Sequence, residues 1–400
     1  MHSHIKKLYK IAHNHHRIII GLMSGTSLDG LDVALCRISG QGMTSSLELL
    51  EFETVPYTKD YKDRVKAVFS KRRVDLQTVC LLNPWIGLSH GEMIMSCLKK
   101  WNMKPSDIDL IASHGQTIYH CPKSQHHMDQ YPNATLQIGD GDHVAYSTGV
   151  ITCSDFRQKH IAAGGEGAPL AVYGDYLLFS SCDENRIMLN LGGIANLTYL
   201  PKSEDASAVF SSDVGPGNTM MDALVQKHYP DQYFDKDSRI ALAGKTHAPL
   251  LAALKDHPFF NQTMPKTTGP ELFNLAYLDQ AQLKSGTQDL ALADIMATLN
   301  AFSANMIVHA LNSCAERLDN YEIYASGGGV QNPLLMDNIK TQLSNKEIKS
   351  TQSLNVDPDA KEAILFAVLA NECVAGGETQ FGNIEEGIPS VTMGKISFPD

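Results

Sequence analysis

Twice in 400 residues the chain runs an apolar strand into a glycine turn and back out as a second apolar strand. The first instance is 18–35 (IIIGLMSGTSLDGLDVAL). There Ile18, Ile19 and Ile20 give way to Gly21, Ser24, Gly25, Thr26 and Ser27, and alternation resumes at Leu31. The second is 186–200 (RIMLNLGGIANLTYL), which turns at Gly192-Gly193. A third strand pattern follows each hairpin, at 47–55 and 208–213, and then helical periodicity begins. Meanders that lead into alternating strands and helices are α/β composition. The echo is architectural, not letter for letter. Two similar α/β halves, facing each other across a cleft, are therefore expected.

Further strands are predicted at 109–116, 135–142, 150–153 and 322–325, and helices at 59–70, 217–228, 271–283, 289–313 and 361–375. A helix over 76–101 should be interrupted near Asn83-Pro84, because proline removes a donor from the helical ladder. The 121–132 segment is the candidate mobile surface loop, and a Gly/Pro-rich tail starts at Gly376.

A formal net charge of −11 disfavours a nucleic-acid or anionic-membrane partner. No apolar run approaches the ~20 residues of a membrane helix. The eight cysteines are scattered without a CxxC pair, which suits buried thiols in a reducing compartment and a cytoplasmic protein. Five histidines lie in the first sixteen residues among lysines, but their spacing matches no tetrahedral metal site, so 1–16 reads as a frayed basic extension.

Three glycine turns fall at strand ends: 24–30, Gly192-Gly193, and Gly327-Gly328-Gly329. Ligands of open α/β sheets gather at strand ends, and a polyphosphate could be held between such turns. Taken singly, the first turn fits an anion cradle at Gly25 and Gly30 or a solvated hairpin turn, with Asp29 and Asp32 at hand for a metal shell or a proton. Asp213, in DVGPGN, precedes a helix start, where an anion or an N-cap turn would be stabilised. Asp155 and Arg157 project from the tip of the strand that ends at Cys153, as a general base with its anion-holding partner or as a structural ion pair. His114 could donate to a substrate or to Asp155, or simply pack. No GxxxxGK[ST], HExxH or GxSxG is present, and no GxGxxG follows a strand.

In order, MSGTSLDGLDVAL, ASHGQT, LQIGDGD, SDFR, AAGGEGAPL, NLGGIANLT, DVGPGN, PKTTG, SGGGVQNP and DAKEAILFAVLANE resemble the anhydro-N-acetylmuramic acid kinase family, over nearly the whole of 18–399. The resemblance implies two actin-like ATPase (ribonuclease H-like) domains flanking a nucleotide cleft. The first would be 17–155, rejoined by 360–400, and the second 156–359. It implies a kinase that uses ATP and water to convert 1,6-anhydro-N-acetylmuramic acid to N-acetylmuramic acid 6-phosphate in cell-wall recycling. Asp155 would be the catalytic base. ATP would lie on Gly25, Thr26, Ser27, Leu28, Asp29, Gly30, Leu31 and Asp32, on Gly192, Gly193, Asp213, Gly215, Gly217 and Asn218, and beside Gly327, Gly328 and Gly329. Mg²⁺ would bridge the phosphates largely through water, with no direct protein ligand expected. Arg157, His114 and Gln116 would contact sugar or orient Asp155. A homodimer is implied. His160, Glu166, Val214 and Pro270 depart from residues common in the family. A kinase for another sugar, or an ATP-binding scaffold without turnover, would share the same motifs.

Overall fold

The isoleucine run near the start becomes the centre of a sheet in the computed structural model, because its side chains are buried on both faces. Strand β1 (His16–Ser24) carries Ile19, Ile20 and Leu22 with almost no exposure. The structure describes residues 1–229, 231–315, 318, 320–343, 346–376, 381–382 and 388–400. They form two units, residues 1–180 with 360–400, and residues 181–359.

In the first unit β1 pairs antiparallel with β2 (Gly30–Ser39), which pairs antiparallel with β3 (Ser46–Pro56). On its other side β1 runs parallel to β4 (Leu110–Cys121). An antiparallel partner, β5 (Ala134–Ile138), and a short parallel one, β6 (Thr152–Ser154), complete this side. The helix Leu76–Lys100 packs Leu82, Ile86 and Ile94 on one face of this sheet. The other face takes the helix Lys361–Val374, which is apolar nearly all round. The approach is close: a Cβ on Gly21 would lie 2.0 Å from the Ala363 carbonyl oxygen, so the strand can carry no side chain there.

The second unit repeats the plan. A meander of β7 (Asn185–Leu191), β8 (Ile194–Leu200) and β9 (Phe210–Pro216) is followed by β10 (Tyr321–Ser326), parallel to β7, and β11 (Ile348–Ser350), parallel to β10. The helix Leu292–Ala315 buries Ala304, Ile307 and Leu311 against Ile187 and Leu189. Finally β12 (Lys395–Ser397) returns to the first sheet and pairs antiparallel with β6. The sheet orders are β12-β6-β4-β1-β2-β3 and β11-β10-β7-β8-β9. Apart from β12 and the side strand β5, both are a three-strand meander with two parallel strands added beside its first strand, the ribonuclease H-like order.

Several expectations change. The helix Leu76–Lys100 runs through Pro84 without interruption. The Asn83 carbonyl, at the edge of the proline turn, accepts the Asp140 N–H, and the Asn83 side-chain oxygen takes the Gly139 N–H at 2.9 Å. The N-terminal extension is not frayed, since Ser3–His13 is a helix anchored by buried Ile11. Residues 156–180 pack with the first unit. They form the helices Phe156–Ala162 and Ala171–Phe179, the second tied to Lys361 by a buried ion pair from Asp175 at 2.8 Å. Residues 377–380 and 383–387 of the expected Gly/Pro-rich tail lie outside the described residues. No described helix is long and apolar enough to cross a membrane.

Candidate active site

The residues singled out in the sequence fall into two groups, one in each unit. In the first, β6 ends at Ser154 and Asp155 follows in the left-handed region at φ 55°, before the helix Phe156–Ala162. A non-glycine residue there costs about 1–2 kcal/mol and is held only where the surroundings over-determine it. Here the kink turns the Asp155 carboxylate away from the helix start, which it does not cap, and onto the Lys395 ammonium of β12. The side chain is 29% exposed and that of Lys395 66%, so the pair faces solvent. Register fixes it, because Lys395 lies opposite Ser154 in the β6–β12 ladder.

Arg157 does not pair with Asp155. Its Nε donates to His114 Nε2 at 2.9 Å and its Nη1 to the Gly167 carbonyl at 2.6 Å. Burial lowers the guanidinium pKa to about 10, against the opposing charge of Glu362. Burial, and then Arg157, push the His114 imidazole well below its usual range, so it is neutral, with an accepting Nε2. His114 therefore does not donate to Asp155, and its Nδ1 has no hydrogen-bond partner. Glu362 escaped the sequence reading. Its only signal was an acidic residue in the first turn of the helix Lys361–Val374, and burial raises its carboxyl pKa. His160 Nδ1 accepts the Gly167 N–H at 3.0 Å and Asn133 donates to the Gly165 carbonyl at 3.0 Å, so the 163–169 loop is held from several sides.

Gln116 is fully buried and accepts the Ser24 hydroxyl at 2.5 Å; Ser24 in turn accepts from Tyr57 at 2.7 Å. The Tyr57 and Tyr61 hydroxyls lie 3.2 and 3.0 Å from His90 Nε2. This chain of polar groups fixes the end of β1, from which the 25–29 turn projects. Thr26, Ser27 and Asp29 of that turn are exposed, while Leu28 and Leu31 are core residues and offer a ligand only their backbone. A Cβ on Gly25 would meet only Ser27 Oγ, at 3.5 Å, so the space over that backbone is open. Asp32 accepts the Thr54 hydroxyl at 2.6 Å, and a Cβ on Gly30 would strike the Val55 carbonyl oxygen at 2.5 Å.

In the second unit, turns far apart in sequence meet at the ends of β7, β9 and β10. The Gly217 N–H donates to the Gly193 carbonyl at 2.8 Å and the Asn218 N–H to the Gly192 carbonyl at 3.0 Å. A Cβ on Gly217 would lie 2.2 Å from the Gly192 oxygen, and one on Gly329 2.7 Å from Leu191 and 3.1 Å from Asn218 Nδ2. A Cβ on Gly327, which has φ 85°, would lie 2.5 Å from Asn190 Oδ1, whereas one on Gly328 would meet nothing within 4 Å. Gly215, at φ 147°, lies near the end of β9 opposite Ala195. Backbone packed this tightly leaves no room for side chains beside the start of the helix Thr219–His228, where the Gly217, Asn218 and Thr219 N–H groups are taken up by the Gly193 and Gly192 carbonyls. Asp213 is placed differently from the sequence expectation. It lies inside β9, three residues short of the strand end, and accepts the Thr268 N–H at 2.8 Å. Burial raises its pKa to about 7.

Two sheets of ribonuclease H-like order in one chain, each opening on a hairpin that turns at glycine, define the actin-like ATPase and sugar kinase class. Within it the chain belongs to the anhydro-N-acetylmuramic acid kinase family, whose profile matches residues 17–395. It is 62% identical over 401 residues to the anhydro-N-acetylmuramic acid kinase of Pseudoalteromonas atlantica, covering 100% of both chains. To that of Caldanaerobacter subterraneus it is 37% identical, covering 98% of this chain and 99% of the relative. Among solved structures it is similar to an activator of 2-hydroxyisocaproyl-CoA dehydratase from Clostridium difficile with bound ADPNP, at 11% identity and a TM-score of 0.43, covering 92% and 98% of the two chains.

Proposed function

We propose that this protein is an ATP-dependent kinase that opens the 1,6-anhydro bridge of 1,6-anhydro-N-acetylmuramic acid and phosphorylates O6. The products are N-acetylmuramic acid 6-phosphate and ADP, in peptidoglycan recycling. Full-length membership of the family, joined to a carboxylate held at a strand tip in reach of solvent, supports this reading.

Asp155 acts as general base. It takes a proton from the water whose oxygen bonds to the anomeric carbon; the bond from that carbon to the bridging oxygen breaks, and the freed O6 takes the γ-phosphoryl group while ADP departs. The proton then passes from Asp155 to solvent. Arg157 holds the 163–169 loop and the His114 ring, and so sets the floor beside the base. Gln116 acts one step removed, through Ser24. The ATP-binding segments of this reading are the backbone of the 25–32 turn in the first unit and Gly192, Gly193, Gly215, Gly217, Asn218 and Gly327 to Gly329 in the second. Asp213 supports the second of these turns from within β9.

Mg²⁺ suits this donor set. On this reading phosphate oxygens and water would hold the ion, and Asp29 and Asp32, the carboxylates of the first turn, are the residues that would hydrogen-bond its bound water. When bound, it draws charge off the phosphate oxygens. The protein works in the cytoplasm as a homodimer, with sugar and ATP as its partners and neither nucleic acid nor membrane.

Sugar-dependent ADP release tests the reading. The wild type should turn over the anhydro-muramic sugar. Asp155→Asn should lose about 10²–10⁴-fold in kcat while still binding an ATP analogue. ADP release with another sugar only, or full activity in D155N, would refute it.

A further inference from the structure

The geometry points to Lys395 as the residue that selects an acidic sugar, by leaving the Asp155 carboxylate for the substrate's own carboxylate. This rests on the kinase reading above, whose substrate carries a lactyl carboxylate that most anhydro sugars lack. Four observations carry it. The Lys395 ammonium contacts Asp155 Oδ2 and is the group that β12 delivers to the strand tip. Its side chain is 66% exposed, so an incoming anion can reach it without any rearrangement of the core. The neighbouring cation, Arg157, is committed to His114 and the Gly167 carbonyl and is half-buried, so it cannot swing out to a carboxylate without breaking both bonds. Finally, a chain of net charge −11 repels an acidic substrate unless a cation meets it at the site.

The exchange couples recognition to chemistry. While Lys395 sits on Asp155, one carboxylate oxygen is engaged by an ammonium and a water must compete for it. A substrate carboxylate offers Lys395 an equivalent charge-assisted contact, and the oxygen it vacates is free to accept the water's proton. A neutral sugar of the same shape binds without this exchange and leaves the lysine on the base. Discrimination should therefore show in kcat as well as in binding.

The test compares 1,6-anhydro-N-acetylmuramic acid with its lactyl amide, which has the same shape without the charge. Full-length wild type, Lys395→Met and Lys395→Arg are titrated with each sugar in a calorimeter and assayed for ADP release. Wild type and K395R should prefer the acid by about tenfold or more in both affinity and kcat. In K395M the two sugars should come within about twofold of each other in both measures. A K395M protein that keeps the preference would overturn the assignment. So would one that weakens acid and amide alike, because that marks a lysine that only shapes Asp155. If the wild type binds the acid but releases no ADP, the kinase reading fails while the binding comparison still decides the role of Lys395.

Discussion

Arg157 Nε donates to His114 Nε2 across 2.9 Å, joining the helix after β6 to the middle of β4. The bond sets the tautomer: Nε2 accepts, so the ring proton is on Nδ1, and the imidazole stays neutral beside a guanidinium. Replacing Arg157 with Met should leave a buried acceptor and the Gly167 carbonyl without partners, at a cost of about 2–3 kcal/mol. Lysine should not restore it, since one ammonium cannot serve two bonds that diverge from a planar fork. Urea unfolding of R157M and R157K checks this, and a midpoint equal to that of the wild type in either variant would count against it.

Acid should destabilise the protein through its buried histidines. His90 is held at about 4 by burial, and His160 at about 4 by burial and then by Arg157. Both folded values lie below the ordinary one, so their contribution is fully present above about pH 6.5 and is lost as pH falls through about 4. For His90, wholly enclosed among Tyr57, Tyr61 and helix backbone, the loss amounts to about 3 kcal/mol at most. Unfolding midpoints measured from pH 7 to pH 4 should fall steeply in the wild type and less steeply in His90→Gln.

Asp213 carries the opposite sign. Its folded pKa is raised to about 7, so the stability it contributes is complete below about pH 4 and lost as pH rises through about 7. Asp213→Asn keeps the Thr268 N–H satisfied without a charge. The fall in unfolding midpoint between pH 5 and pH 8 should therefore shrink in D213N relative to the wild type. An equal fall in both proteins would show that this carboxyl does not titrate in that window.

Alanine at Gly217 would place a methyl group 2.2 Å from the Gly192 carbonyl oxygen, and backbone cannot yield as a flexible side chain would. The turns must part, at about 1–3 kcal/mol. Because the same backbone is among the proposed ATP-binding segments, affinity for a non-hydrolysable ATP analogue should fall about tenfold or more in G217A. Unchanged affinity in a destabilised variant would separate these turns from nucleotide binding.

The two hairpins were legible because alternating burial and glycine leave a strong local mark, and each became a meander at the heart of its sheet. Asp155 at a strand tip followed from the apolar run that ends at Cys153. Its partner did not, because β12 is a strand of three residues with no period to detect and lies 240 positions downstream. Arg157 was expected to turn toward its near neighbour. The left-handed kink at Asp155 aims the two side chains apart, and backbone sign at one residue leaves no trace in composition. The turn at Asp213 was placed too close to a helix because β9 continues through Pro216, a residue tolerated where a strand ends.

The arrangement of β6 also bears on how the protein is made. Among the described residues its outer edge pairs with β12 alone, whose Lys395 is synthesised 240 residues after Asp155. At ribosomal speeds that interval is roughly 10–50 s. Throughout it a nascent chain shows an unpaired edge just three residues long, too short to recruit a neighbouring polypeptide readily. A translation product that stops before β12 would keep its base yet never receive the lysine.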